Sequence, residues 1–121
     1  MALTSLVPCA HVADMDKSLA FYQRLGFLVR DSRVTADGHI MSATLECGDS
    51  GLMLAQTDQP VDRTSQGVLF HGYDTDVAKL REELVGQGVA AGKVEHPEHL
   101  PAGQIRVEDP DGYVLLIGQI L

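Results

Sequence analysis

Two histidines head strings of the same shape. His11-Val-Ala-Asp14-Met-Asp16 and His71-Gly-Tyr-Asp74-Thr-Asp76 stand 60 residues apart in the chain. A neutral imidazole near pH 7 serves as a general base or as a metal ligand, so this pair, with Gln56, is the first donor set to weigh. Side chains in a strand alternate between faces. Val7, Cys9 and His11 then share one face, whereas His71 alternates with Val68, Phe70 and Gly72 and is expected against a helix. That parity argues against the three acting as one metal set. His11 remains a candidate polar contact to a ligand, the plainer alternative being a satisfied rim or core histidine. His96 and His99 stand three apart in Val94-Glu-His-Pro-Glu-His99, which reads as a flap or plain surface. Cys9 and Cys47 have neither zinc-type spacing nor a framework count, and are expected as reduced thiols packed as small hydrophobes. Glu46, Glu108 and Asp109 would draw a cation at a rim or simply be solvated. No Ser-His-Asp set, nucleophilic Cys or phosphate-cradling Gly loop is visible, and Gly86-Gln-Gly88 reads as a helix stop.

The elements that position these residues follow from periodicity and punctuation. Leu6 to Val12 is a short strand, and Asp14 or Asp16 caps a helix over Lys17 to Leu25. Leu19, Tyr22 and Leu25 form that helix's apolar stripe, and Gly26 ends it. Strands are expected at Phe27–Val34, Ile40–Cys47 and Leu52–Gln56, joined by Thr35-Ala-Asp-Gly38 and Gly48-Asp-Ser-Gly51. With this phase Leu54 and Gln56 share a face and Met53 lies on the other. After a polar stretch containing Pro60, the plan repeats. Val68–Tyr73 is a strand, Asp74-Thr-Asp76 a cap, and Val77, Leu80 and Leu84 a second helical face stopped by Gly86 or Gly88. Val89–Glu95, Gln104–Glu108 and Tyr113–Ile120 are three more strands, the last pair joined by the tight turn Asp109-Pro-Asp-Gly112. The result is an α+β fold of two βαβββ modules forming curved mixed sheets, with module one at 1–57, a linker at 58–66 and module two at 67–121.

Composition narrows the function. A chain of 121 residues with 45% apolar residues buries a core without metal or disulfide staples. A net charge of −8 with nine scattered basic residues argues against nucleic acid and favours cationic small molecules or plain solubility. The N-terminus lacks a basic n-region and a long apolar h-region, and no apolar run is long enough to span a bilayer, so a cytoplasmic location is expected.

Three strings carry a resemblance: Asp16-Lys-Ser-Leu-Ala-Phe-Tyr-Gln-Arg-Leu-Gly-Phe27, Pro101-Ala-Gly-Gln104, and Asp109-Pro-Asp-Gly112 before the last strand. With the module order, they make the chain resemble the vicinal oxygen chelate superfamily of glyoxalase I, extradiol dioxygenases, fosfomycin-modifying enzymes and bleomycin resistance proteins. Chelating members place metal ligands near the start of strand one, on strand four, at the start of strand five and inside strand eight. The resemblance carries those positions to Val7, Leu54, Val68 and Leu116, which hold no donor atoms for a divalent ion. No metal, cofactor or catalytic residue is therefore expected. The ending Glu108-Asp-Pro-Asp-Gly-Tyr-Val-Leu-Leu-Ile117 is similar to the bleomycin-resistance branch, whose members sequester a drug between two subunits. Where many relatives carry a Trp in the loop before strand seven, this chain has Ala102, and it has no Trp at all.

The expectation is a homodimeric protein that binds and sequesters an antibiotic-like small molecule, aromatic or cationic, without metal chemistry. The candidate ligand contacts are His11, Met41, Leu54, Gln56, Val68, Phe70, Val114 and Leu116, against ordinary core packing for the apolar ones. The alternative is a metal-dependent or cofactor-free lyase, isomerase or dioxygenase of the same superfamily, with His11 as general base in the metal-free case.

Overall fold

The computed structural model describes residues 2–59 and 69–120. The elements run β1 (Cys9–Val12), α1 (Met15–Arg24), β2 (Leu28–Val34), β3 (Ile40–Cys47), β4 (Ser50–Gln56), β5 (Leu69–Asp74), α2 (Val77–Gly86), β6 (Gln104–Glu108) and β7 (Val114–Gln119). Two units divide the chain, Met1–Asp62 and Arg63–Leu121. The expected linker at 58–66 and the Val68 position lie largely or wholly outside the described residues.

The first unit is a four-stranded sheet in the order β1-β4-β3-β2, with β1 and β4 parallel and the other pairs antiparallel. Helix α1 packs on β3 and β4. Its buried stripe is Met15, Ser18, Leu19, Phe21 and Tyr22, facing Ala10, Val12, Ala43, Leu45, Leu52 and Leu54, all nearly inaccessible to solvent. Burying such side chains is the main favourable term in folding, each contributing about 1.5–3 kcal/mol for a full-sized aliphatic. Phe21, Tyr22 and Phe27 stack edge to face within this core. Strand β2 is an outer strand whose seven residues are all exposed.

The second unit is a three-stranded sheet, β5-β7-β6, with β5 and β7 parallel. Val77 and Leu84 of α2 are buried, as are Ile105, Val107, Leu115 and Ile117. The strand expected at Val89–Glu95 is not continuous. Only isolated bridges, Ala91 to Val107 and Glu95 to Gln104, hold that segment along β6. Gly92 and Lys93, between the bridges, weaken any regular ladder there.

The two units share matching helix caps, and these stand 62 residues apart, not 60. Asp14 caps α1 by accepting from Lys17 N, and Asp76 caps α2 by accepting from Lys79 N. Each helix's first amide also donates to a glutamine at the end of the neighbouring parallel strand: Met15 N to Gln56 Oε1 at 3.1 Å and Val77 N to Gln119 Oε1 at 2.8 Å. These bonds satisfy amides that a helix start otherwise leaves without partners. The matching Asp-x-Asp strings mislead by two residues because in module two it is the second aspartate that caps. The structural counterpart of His11 is therefore Tyr73, and that of Cys9 is His71.

Candidate functional site

In each unit the face of the sheet turned away from its helix carries the groups able to meet a ligand. On the first sheet, register places Cys9 beside Met53 and His11 beside Ala55, with Ser42, Thr44 and Glu46 continuing the rows on β3. Val7 precedes them on the same side, its methyls next to Gly51. His11 and Cys9 are exposed, and Met53 is 38% exposed. Arg30 lies at a bulge of β2 and pairs with Glu46 at 3.3 Å. Both partners are well solvated, so the pair adds little stability.

On the second sheet the corresponding face holds His71, Tyr73, Val114, Leu116, Gly118, Gln104, Arg106 and Glu108. Val114 and Leu116 are half-buried and His71 is exposed. Arg106 and Glu108 pair at 3.6 Å. Tyr73 is 63% exposed. Tyr73 is absent from the sequence-derived candidates, and the signal that finds it is the exclusion of the others. Phe21, Tyr22 and Phe27 are locked in the first core, and Phe70 packs against Tyr113 at 6.3 Å.

Several expected contacts stand elsewhere. Leu54 is fully buried against α1, and Gln56 caps that helix instead of lining a ligand face. Strand β4 is phased one residue differently from the sequence expectation, so Met53 and Ala55 take the face assigned to Leu54 and Gln56. The same inversion affects β5. Phe70 is in register with Leu115 on the helix side, and His71 with Leu116 on the other. Met41 is the extra residue of a bulge opposite Arg33 and Val34, 45% exposed, and so lies outside the regular rows. Asp109 is not a solvated rim charge. It is buried, and its Oδ1 accepts from the amides of Asp111 and Tyr113, both at 2.9 Å. That Asx turn, with Gly112 at φ 89°, explains the Asp-Pro-Asp-Gly string structurally.

The chelating positions do not fit a divalent ion. Val7, Met53 or Ala55, and Leu116 offer no hard donor, and among the described residues no three His, Cys, Asp or Glu side chains converge. A depression of about 400 Å³ at the start of α2, lined by Asp74, Thr75, Asp76, Lys79, Leu80 and Glu83, lies outside these rows. No helix among the described residues is long and apolar enough to cross a membrane.

Comparison with known proteins places this geometry. A protein named SMU.1112c matches with a TM-score of 0.79 at 26% identity, over 98% of this chain and 100% of its own. A bleomycin-binding protein solved in complex with bleomycin matches with a TM-score of 0.74 at 20% identity, over 98% and 100% of the two chains. The fosfomycin resistance protein FosX from Listeria monocytogenes matches with a TM-score of 0.75 at 15% identity, over 99% and 96%. At identities this low the last two likenesses show the fold alone. No functionally curated protein matches the sequence. The family model for glyoxalase, bleomycin resistance protein and dioxygenase covers residues 6–117. With two βαβ-type units, each capped by the same Asp and Gln pair, this chain belongs to the glyoxalase/bleomycin resistance protein/dioxygenase superfamily.

Proposed function

We propose that the protein captures an antibiotic-like small molecule, aromatic or cationic, and holds it without converting it. The observation that carries this reading is the makeup of the faces turned away from the helices. Val7, Met53, Ala55, Val114 and Leu116 give these faces apolar patches, beside Cys9, His11, Ser42, Thr44 and Glu46 on the first sheet and His71, Tyr73, Gln104, Arg106 and Glu108 on the second. Apolar patches flanked by polar side chains able to orient a bound molecule suit binding. A net charge of −8 favours a cationic ligand over an anionic one. The bleomycin-binding fold relative supports the class of ligand.

The working unit in this proposal is a cytoplasmic homodimer. Strand β2 supports it, since Leu28, Val29 and Val34 are 72%, 40% and 57% exposed along one outer strand, a surface that a second copy would cover. A second reading, a cofactor-free lyase or isomerase, rests on His11, whose exposed ring on the ligand face is placed to act as general base. Stoichiometric protection requires an affinity of about micromolar or better. Calorimetry of metal-stripped protein against an antibiotic panel that includes bleomycin tests the proposal. Saturable binding without turnover supports it, and failure to bind any member removes it.

A further inference from the structure

Gly118 lies inside β7, one residue from its end, where a glycine weakens a strand and therefore marks a close approach by another group. It does not have the positive φ that would demand glycine for conformational reasons. What it makes is room. A Cβ at this position would stand 2.9 Å and 3.3 Å from the two methyls of Leu100 and 3.3 Å from Cδ1 of Tyr73. Leu100 thus reaches back from the turn 97–103 onto the sheet and fills the space that a side chain on Gly118 would take. The turn is short: Leu100 N donates to Pro97 O, Gly103 N donates to Leu100 O, and His96 Nδ1 lies 2.9 Å from Pro101 O.

The residues flanking Gly118 on this face are Tyr73 on one side and Gln104 on the other, each in direct register with it. Tyr73 is the one strongly exposed aromatic ring among the described residues. Gln104 Oε1 is the one buried side-chain oxygen or nitrogen without a hydrogen-bond partner among the described residues. Buried polar groups in folded proteins are nearly always paired, with protein or with water, so this oxygen is an acceptor open to a ligand's donor. The two side chains sit two strand spacings apart, about 10 Å between their backbones, which is the width of one ring with its substituents.

We propose that the Tyr73–Gly118–Gln104 row is the recognition seat for a flat cationic aromatic ring carrying an N–H on its edge. The ring displaces the Leu100 methyls, lies over Gly118 against Tyr73, and donates its N–H to Gln104 Oε1. This assignment rests on the capture reading and names the ligand chemistry within it. Aromatic and cation–π contacts with the tyrosine supply the affinity, the acidic chain favours the cation, and the glutamine oxygen selects for the N–H.

Proflavine and 10-methylacridinium distinguish these contributions, because both are flat cations and only proflavine keeps a ring N–H. Fluorescence titration is expected to show proflavine bound by the native chain, about tenfold more weakly by Tyr73→Leu, and within about twofold of native by Tyr73→Phe. Gln104→Leu is expected to weaken proflavine several-fold and leave 10-methylacridinium unchanged. The Leu100 methyl resonances are expected to shift on binding, a readout that survives if Tyr73→Leu fails to fold. Equal binding by native and Tyr73→Leu protein, or unmoved Leu100 methyls at saturation, overturns the seat. If native protein ignores proflavine but binds a member of the antibiotic panel, the seat is wrong and capture stands. Silence toward both removes the two together.

Discussion

Replacing Leu54 and Met53 one at a time by alanine asks which face of β4 meets the core. Leu54 is fully buried beneath α1, and Met53, its neighbour, is 38% exposed beside Cys9. Truncating a buried leucine removes its transfer free energy and leaves a cavity, together about 3 kcal/mol at a site hemmed in by Ala10 and Ala43. Unfolding entropy near 60 °C is about 2.1 cal/mol/K per residue, or about 0.25 kcal/mol/K for the whole chain. With the chain melting as one unit, Leu54→Ala is expected to lower Tm by about 12 °C. Met53→Ala, on the half-open side, is expected to cost under about 1 kcal/mol and to shift Tm by a few degrees at most. Thermal melts followed by circular dichroism give both values, and ligand titration gives the complement. Met53→Ala weakens binding, while Leu54→Ala leaves the affinity of the folded fraction intact. The reverse order of stabilities would refute the reasoning, because it would mean that β4 is phased one residue away from the register described.

Four further outcomes follow from the same geometry. Gln56→Leu strips the first α1 amide of its acceptor and is expected to cost about 1–2 kcal/mol by urea denaturation. Gln119→Leu should cost more, because Gln119 Nε2 also donates to Thr75 O and Ile120 O. Cys9, exposed on the sheet face turned away from α1, is expected to react with an aromatic disulfide reagent faster than half-buried Cys47, and under the capture proposal to be shielded by bound ligand. Asp37 in the β2–β3 turn titrates below its ordinary value of 3.8, chiefly because the Thr35 hydroxyl donates to it and secondarily through His39. Its contribution to the turn is present above the unfolded-state value and disappears as pH falls through the lowered folded one. Thr35→Val should move the NMR-detected titration of Asp37 back up.

The strand and helix plan was legible because local signals agree with the global fold. Asp14 at a helix start, Gly26 after its end, and the Leu19–Tyr22 stripe each point to one conformation. Strands Ile40–Cys47 and Gln104–Glu108 fall where alternation puts them. The faces of β4 and β5 were harder. Leu-Met-Leu-Ala and Leu-Phe-His-Gly are apolar on both sides or ambiguous, so composition fixes no phase, and only pairing with β1 and β7 does. The repeat offset slipped for a related reason. Two aspartates two residues apart are equivalent as text, but only one stands at the position whose side chain reaches the third helical amide. The roles of Gln56 and Gln119 depend on contacts 41 and 42 residues away in sequence, beyond any local pattern. Tyr73 needed the fate of every other ring before its own exposure had meaning.

Capture without conversion is tested most directly by the fate of the ligand itself. Metal-stripped protein is mixed with a drug from the panel that it binds, held well beyond the time needed for binding equilibrium, denatured, and the released compound is weighed by mass spectrometry. The account predicts the drug returned at its original mass and in stoichiometric amount. A product of altered mass or connectivity, accumulating beyond one equivalent per binding site, would contradict it and turn the assignment toward an enzyme acting through His11.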